Sequence, residues 1–110
     1  MVAIMAQAEQ YGLTRAQLQL IIDILRQFPA VEQAVLFGSR AKGTQHNRSD
    51  IDLAVKGARL DRHTLAQLAM AFDDSDLPYA VDVQILQDMQ SPALRDHIQR
   101  VGKVIYPPAA

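Results

Sequence analysis

The sequence predicts a small α/β domain in which a mixed β-sheet carries helices on one face. Apolar residues recur at helical spacing in some stretches and alternate at strand spacing in others. The length of 110 residues suits one domain, which at this size buries roughly two-thirds of the surface of its unfolded chain. An apolar share of 49% supplies that core, and there is no cysteine. Disulfides, thiolate metal sites and cysteine nucleophiles are thereby excluded, and a reducing cytoplasm is the expected compartment. One domain is expected over residues 1–110, with Met1 to Leu13 a flexible or weakly helical lead-in and Pro107 to Ala110 a tail.

The first element opens at Thr14. Thr14 and Gln17 form a capping-box pattern, and Leu18, Ile21, Ile22 and Leu25 follow at i, i+3, i+4, i+7. Phe28-Pro29 ends this helix. Ala34 to Phe37 is too short an apolar run for a helix and reads as a buried strand ending at Gly38. A polar loop is expected from Ser39 to Ser49. Asp50 to Val55 alternates, with Ile51, Leu53 and Val55 on one face and Asp50, Asp52 and Ala54 on the other. Asp61 is a suitable N-cap for a helix whose stripe is Leu65, Leu68, Ala69 and Phe72. The acids Asp73, Asp74 and Asp76 with Pro78 end it. Tyr79 to Leu86 alternates again, placing Asp82 opposite Val81, Val83 and Ile85. Ser91 and Pro92 supply the N-cap and first position of a last helix with Leu94, Ile98 and Val101 on its apolar side and Gly102 at its end. Lys103 to Tyr106 is left as a short edge strand.

The charge balance narrows the function. Eleven Lys and Arg against twelve Asp and Glu give a net charge of -1, without the basic excess that binding to a nucleic-acid backbone uses. Met1 to Ala6 is too short for a signal peptide or a membrane span. Ten of the twelve acids are Asp, a residue poor in helix and strand interiors, so many must sit at caps, in loops or at a site.

Asp50 and Asp52 are the informative pair. On a strand they share one face with Cα atoms roughly 6–7 Å apart. Like charges there repel unless a cation joins them or a pKa rises. Asp82 is a candidate third carboxylate, although a surface position would also suit it. Three carboxylates suit hard divalent ions such as Mg²⁺, and two such ions about 4 Å apart clamp the attacking and leaving oxygens of nucleotidyl transfer. Gly38 and Ser39, at the end of the preceding strand, can bring backbone N–H groups and a hydroxyl to phosphate oxygens. Gly38 and Gly43 have Walker A spacing, but Thr44-Gln45 follows where Lys and Ser or Thr are needed, so a P-loop is excluded. Of the loop cations Arg40, Lys42 and Arg48, Arg40 alone is taken as a nucleotide contact. Ser49 either contacts substrate or bonds the turn before the strand. His46, His63 and His97 lack metal-like spacing and are expected at the surface.

Gly38-Ser39, the downstream Asp50-Ile51-Asp52 and the later Asp82 resemble the minimal nucleotidyltransferases of the polymerase-β nucleotidyltransferase superfamily. The similarity runs from about Val31 to Tyr106 and includes GSRAKGTQHNRSDIDLAV, LPYAVDVQ and SPALRDHIQRVGKVIY. The resemblance implies the polymerase-β nucleotidyltransferase-like fold, with Asp50, Asp52 and Asp82 holding two Mg²⁺ ions and Gly38 and Ser39 gripping a nucleoside triphosphate. It further implies transfer of AMP from ATP to a tyrosine of a helical HEPN-domain toxin, an antitoxin activity. Alternatives are transfer to a small molecule such as an aminoglycoside, and a non-catalytic binding antitoxin. A core this small is also expected to leave acceptor recognition to a partner chain.

Overall fold

A computed structural model describes residues 10–46 and 48–108. Helix α1 spans Arg15–Arg26, and its start is a full capping box. Thr14 Oγ1 accepts the Gln17 N–H at 3.1 Å, and Gln17 Oε1 accepts the Thr14 N–H at 2.9 Å. Two N–H groups without intrahelical partners are thereby satisfied. The apolar stripe buries Ile21, Ile22, Ile24 and Leu25.

Strand β1 (Gln33–Phe37) leads to a single helical turn, α2 (Ser39–Lys42), and then to β2 (Ile51–Lys56). The loop expected from Ser39 is therefore helical over its first four residues. A turn this short leaves no periodicity in the sequence. Gly38 and Gly43 bound it at φ +77° and +80°, values that glycine adopts without steric penalty.

Helix α3 (Arg62–Asp73) is capped by Asp61, whose carboxylate accepts the Thr64 N–H at 2.8 Å. It supplies the crossover to β3 (Val81–Ile85), which pairs parallel to β2, and parallel neighbours require such a connection. Helix α4 (Pro92–Val101) starts at the Ser91 cap and precedes β4 (Lys103–Tyr106). The sheet order is β3-β2-β1-β4, with β1 antiparallel to both β2 and β4.

The α/β class and mixed sheet agree with expectation, but the helices are not all on one face. α1 and α3 cover Ala34, Leu36, Ile51, Leu53 and Val55, the main core. α4 packs on the opposite face, where Ile98 meets Val35, Phe37 and Ala54. The physical reason lies in β1: its apolar run is continuous, so both of its faces need cover.

The lead-in is also more structured than expected where it is described. Gln10 and Leu13 exchange backbone hydrogen bonds of 3.0 and 2.8 Å across Tyr11 and Gly12, both at positive φ, as a type I′ turn requires. Leu13 is buried in the main core. The rest of the lead-in, residues 1–9, and residues 109–110 of the tail lie outside the described residues. No helix among the described residues is long and apolar enough to cross a membrane.

Candidate active site

Strand register assembles the site. Phe37 of β1 pairs with Asp52 of β2, and Asp52 pairs with Asp82 of β3. These residues form one row across three strands, on the face that α4 partly covers. Asp52 is half-buried between the fully buried Ile51 and Leu53, while Asp82 is exposed on the edge strand. Asp50 stands one residue before the ladder and is exposed. The expected strand start at Asp50 is thus displaced to Ile51.

Burial pushes the Asp52 carboxyl above its ordinary value, and the negative charges of Asp82 and Asp50 push it further. Arg40 acts in the opposite direction. The three aspartates therefore share one electrostatic field, with Asp52 at its centre. Among the described residues, no three carboxylate or imidazole groups stand close enough to close a cation cage as they are. Mutual repulsion favours this separation. Two features nevertheless fit a hard divalent cation. The donors are all oxygens, and Gly38 leaves open the space beside Asp52 Oδ2 that a Cβ would fill.

Gly38 combines φ +77° with ψ -155°, a region essentially restricted to glycine. It turns the chain sharply from β1 into α2 and brings Ser39 to the same end of the sheet. Ser39 is half-buried, and its carbonyl accepts the Thr44 N–H at 2.9 Å.

Arg40 is held inside the fold. It is only 2% exposed. Its Nε and Nη2 donate to the Ser49 carbonyl at 3.2 and 2.7 Å, and Nη1 donates to the Tyr11 carbonyl at 2.9 Å. The guanidinium carbon also lies 4.3 Å from the Tyr79 ring centre, a cation–π contact. Arg40 thus ties the Gln10–Leu13 turn to the loop before β2 and to the approach to β3. A planar group with five donors suits that task. Ser49 also has a local role: it is buried, and its hydroxyl accepts the His46 N–H at 2.9 Å. Lys42 and Arg48 are the exposed cations of this segment. A polar cavity of about 290 Å³ lined by Gly12, Thr14, Gln17, Arg40 and Tyr79 includes none of the three aspartates.

His97 departs from its expected surface position. It is half-buried on α4. Its Nε2 accepts the Gly38 N–H at 3.1 Å, and its ring meets Phe37 edge-on, with centroids 6.3 Å apart at 78°. The signal was present in the sequence: Leu94, His97, Ile98 and Val101 occupy i, i+3, i+4 and i+7 of one helix.

The mixed four-stranded sheet with helices on both faces is a nucleotidyltransferase-type architecture. Residues 19–108 match the family model "Polymerase beta, Nucleotidyltransferase", and the chain belongs to that family. Its members generally use a divalent metal. The chain is similar to the probable protein adenylyltransferase MntA of Haemophilus influenzae, 36% identical over 75 residues, which are 67% of this chain and 66% of the relative. It is also similar to the protein adenylyltransferase MntA of Shewanella oneidensis, 44% identical over 62 residues, 52% of this chain and 45% of that one. It thus spans between about half and two-thirds of these relatives. Among solved structures, it resembles a chain in the complex of tri-AMPylated Shewanella oneidensis HEPN toxin with MNT antitoxin. That match has 31% identity, a TM-score of 0.61 and coverage of 81% of this chain and 68% of the other.

Proposed function

We propose that the protein is a Mg²⁺-dependent protein adenylyltransferase that moves AMP from ATP to a tyrosine of a HEPN-type toxin and so acts as its antitoxin. The observation that carries this reading is the register of Asp52 with Asp82 beside the Gly38 corner, in a chain of the polymerase-β nucleotidyltransferase family. The relatives named protein adenylyltransferase and the HEPN complex supply the acceptor class. A reducing, ATP-supplied cytoplasm suits the reaction and a chain without cysteine.

Asp50, Asp52 and Asp82 would hold two Mg²⁺ ions, which when bound offset the triphosphate charge and make the acceptor hydroxyl easier to deprotonate. Gly38 and Ser39 would grip the triphosphate, while Arg40 and Ser49 act one step removed by holding the loop before β2. The acceptor oxygen bonds to the α-phosphorus as the bond from that phosphorus to the pyrophosphate oxygen breaks. The hydroxyl proton passes to Asp82, the exposed carboxylate of the row, and pyrophosphate departs with the displaced electron pair. Alignment and charge neutralisation supply most of the acceleration.

The test incubates the protein with α-labelled ATP, Mg²⁺ and a HEPN-type partner. Transfer of label is expected, falling by about a thousandfold in Asp52→Asn and Asp50→Asn, a loss of about 4 kcal/mol of transition-state stabilisation. Equal transfer by these folded variants, or no label on any partner with wild-type protein, overturns the proposal.

A further inference from the structure

We propose that His97 is a positioning residue that sets the Gly38-Ser39 corner for triphosphate binding; this rests on the transferase reading above. The corner is formed by a residue whose backbone is free to adopt many conformations, so its hydrogen bonds decide which one is held. Its carbonyl is held locally by the Lys42 N–H at 3.2 Å. Its N–H is held from 59 residues away, by His97 Nε2 at 3.1 Å. The imidazole is in turn seated against Phe37, the residue immediately before the corner and the register partner of Asp52. One side chain of α4 therefore touches the last residue of β1 and the corner that follows it.

The direction of the hydrogen bond defines the role. Because Nε2 accepts, the ring proton is assigned to Nδ1. Its Nε2 lone pair is engaged by Gly38 and is not directed at an acceptor hydroxyl, so His97 orients a binding element and does not move a proton. Without an acceptor there, the half-buried Gly38 N–H loses its partner. The corner can then rotate away from Asp52, taking Ser39 with it.

Two variants separate acceptor from packing. His97→Phe keeps a ring against Phe37 but has no acceptor, whereas His97→Gln supplies a carbonyl oxygen at similar reach. The KM for ATP is expected to rise about tenfold in His97→Phe, with kcat per folded molecule within about threefold, and to return to within about threefold of wild type in His97→Gln. Hydrogen exchange of the ¹⁵N-labelled Gly38 amide, measured without nucleotide, should accelerate about tenfold in His97→Phe and much less in His97→Gln. Folding is checked by circular dichroism and thermal melting.

A folded His97→Phe with wild-type KM, or with unchanged Gly38 exchange, overturns the role. If Asp52→Asn abolishes transfer while His97→Phe behaves as wild type, the transferase reading stands and this inference falls. If wild-type protein transfers nothing, the transferase reading falls, and Gly38 exchange with the equilibrium affinity for a non-hydrolysable ATP analogue decides the role of His97 independently.

Discussion

The two faces of the sheet are built from the same strands yet perform different tasks. Under α1 and α3, Leu36, Ile51, Leu53 and Val55 are all fully buried in a continuous apolar core. Under α4 the buried cluster is small, and the row beyond it continues from Phe37 into Asp52 and Asp82. A two-residue period makes this division possible, because neighbouring residues such as Asp52 and Leu53 face opposite environments. Stability is concentrated on one face, and the other can hold charges that weaken the fold.

The contrast is tested most strongly by Leu53→Ala. Deleting a fully buried side chain is expected to cost about 3 kcal/mol, read as a lower urea midpoint. Turnover per folded molecule should be unchanged; a specific loss of turnover would show that the two faces are coupled. Gly38→Ala comes next. It forces a side chain into a glycine-only conformation and into contact with Asp52 Oδ2, so a loss of about 2 kcal/mol should accompany a marked fall in nucleotide affinity. Full nucleotide affinity in this variant would show that the corner does not govern binding.

The smallest effect has the opposite sign. Asp52 has a raised pKa in the folded protein, so between its ordinary value of 3.8 and the raised one the native state binds more protons than the unfolded state. Stability without metal should therefore fall as pH rises through that window. Asp52→Asn removes the charge and should stabilise the metal-free protein by up to about 1 kcal/mol, the scale of a like-charge cross-strand pair. Thermal melting across pH with a chelator present measures both effects. A variant less stable than wild type at neutral pH would mean that the Asp52 charge is compensated within the fold. The same variant is expected to lose transfer, so stability and activity move apart at one residue.

Most of the architecture was legible because each major element had a local cause. The Thr14-Gln17 box, the Asp61 and Ser91 caps and the alternation of β2 and β3 are contained within a few residues. Asp50 and Asp52 were legible as a pair for the same reason. The one-turn α2 was not, because four residues cannot display a period. The side occupied by α4 was missed for a different reason, since an apolar stripe specifies that a helix must be covered without naming the face that covers it.

Arg40 and His97 show where local reasoning ends. Both are polar residues in segments that suggested a loop contact and a surface position. Arg40 joins carbonyls from two distant segments, and His97 accepts from a residue 59 positions earlier. Sequence alone determined the α/β class, the two strands whose polar faces carry aspartates and the glycine-serine corner before them, because period and capping depend on near neighbours. Tertiary structure alone decided that Asp82 aligns with Asp52, that α4 lies on the carboxylate face, that His97 holds the Gly38 corner and that Arg40 holds the loop before β2. Strand register and hydrogen bonds between distant segments exist only after the chain has brought those segments together.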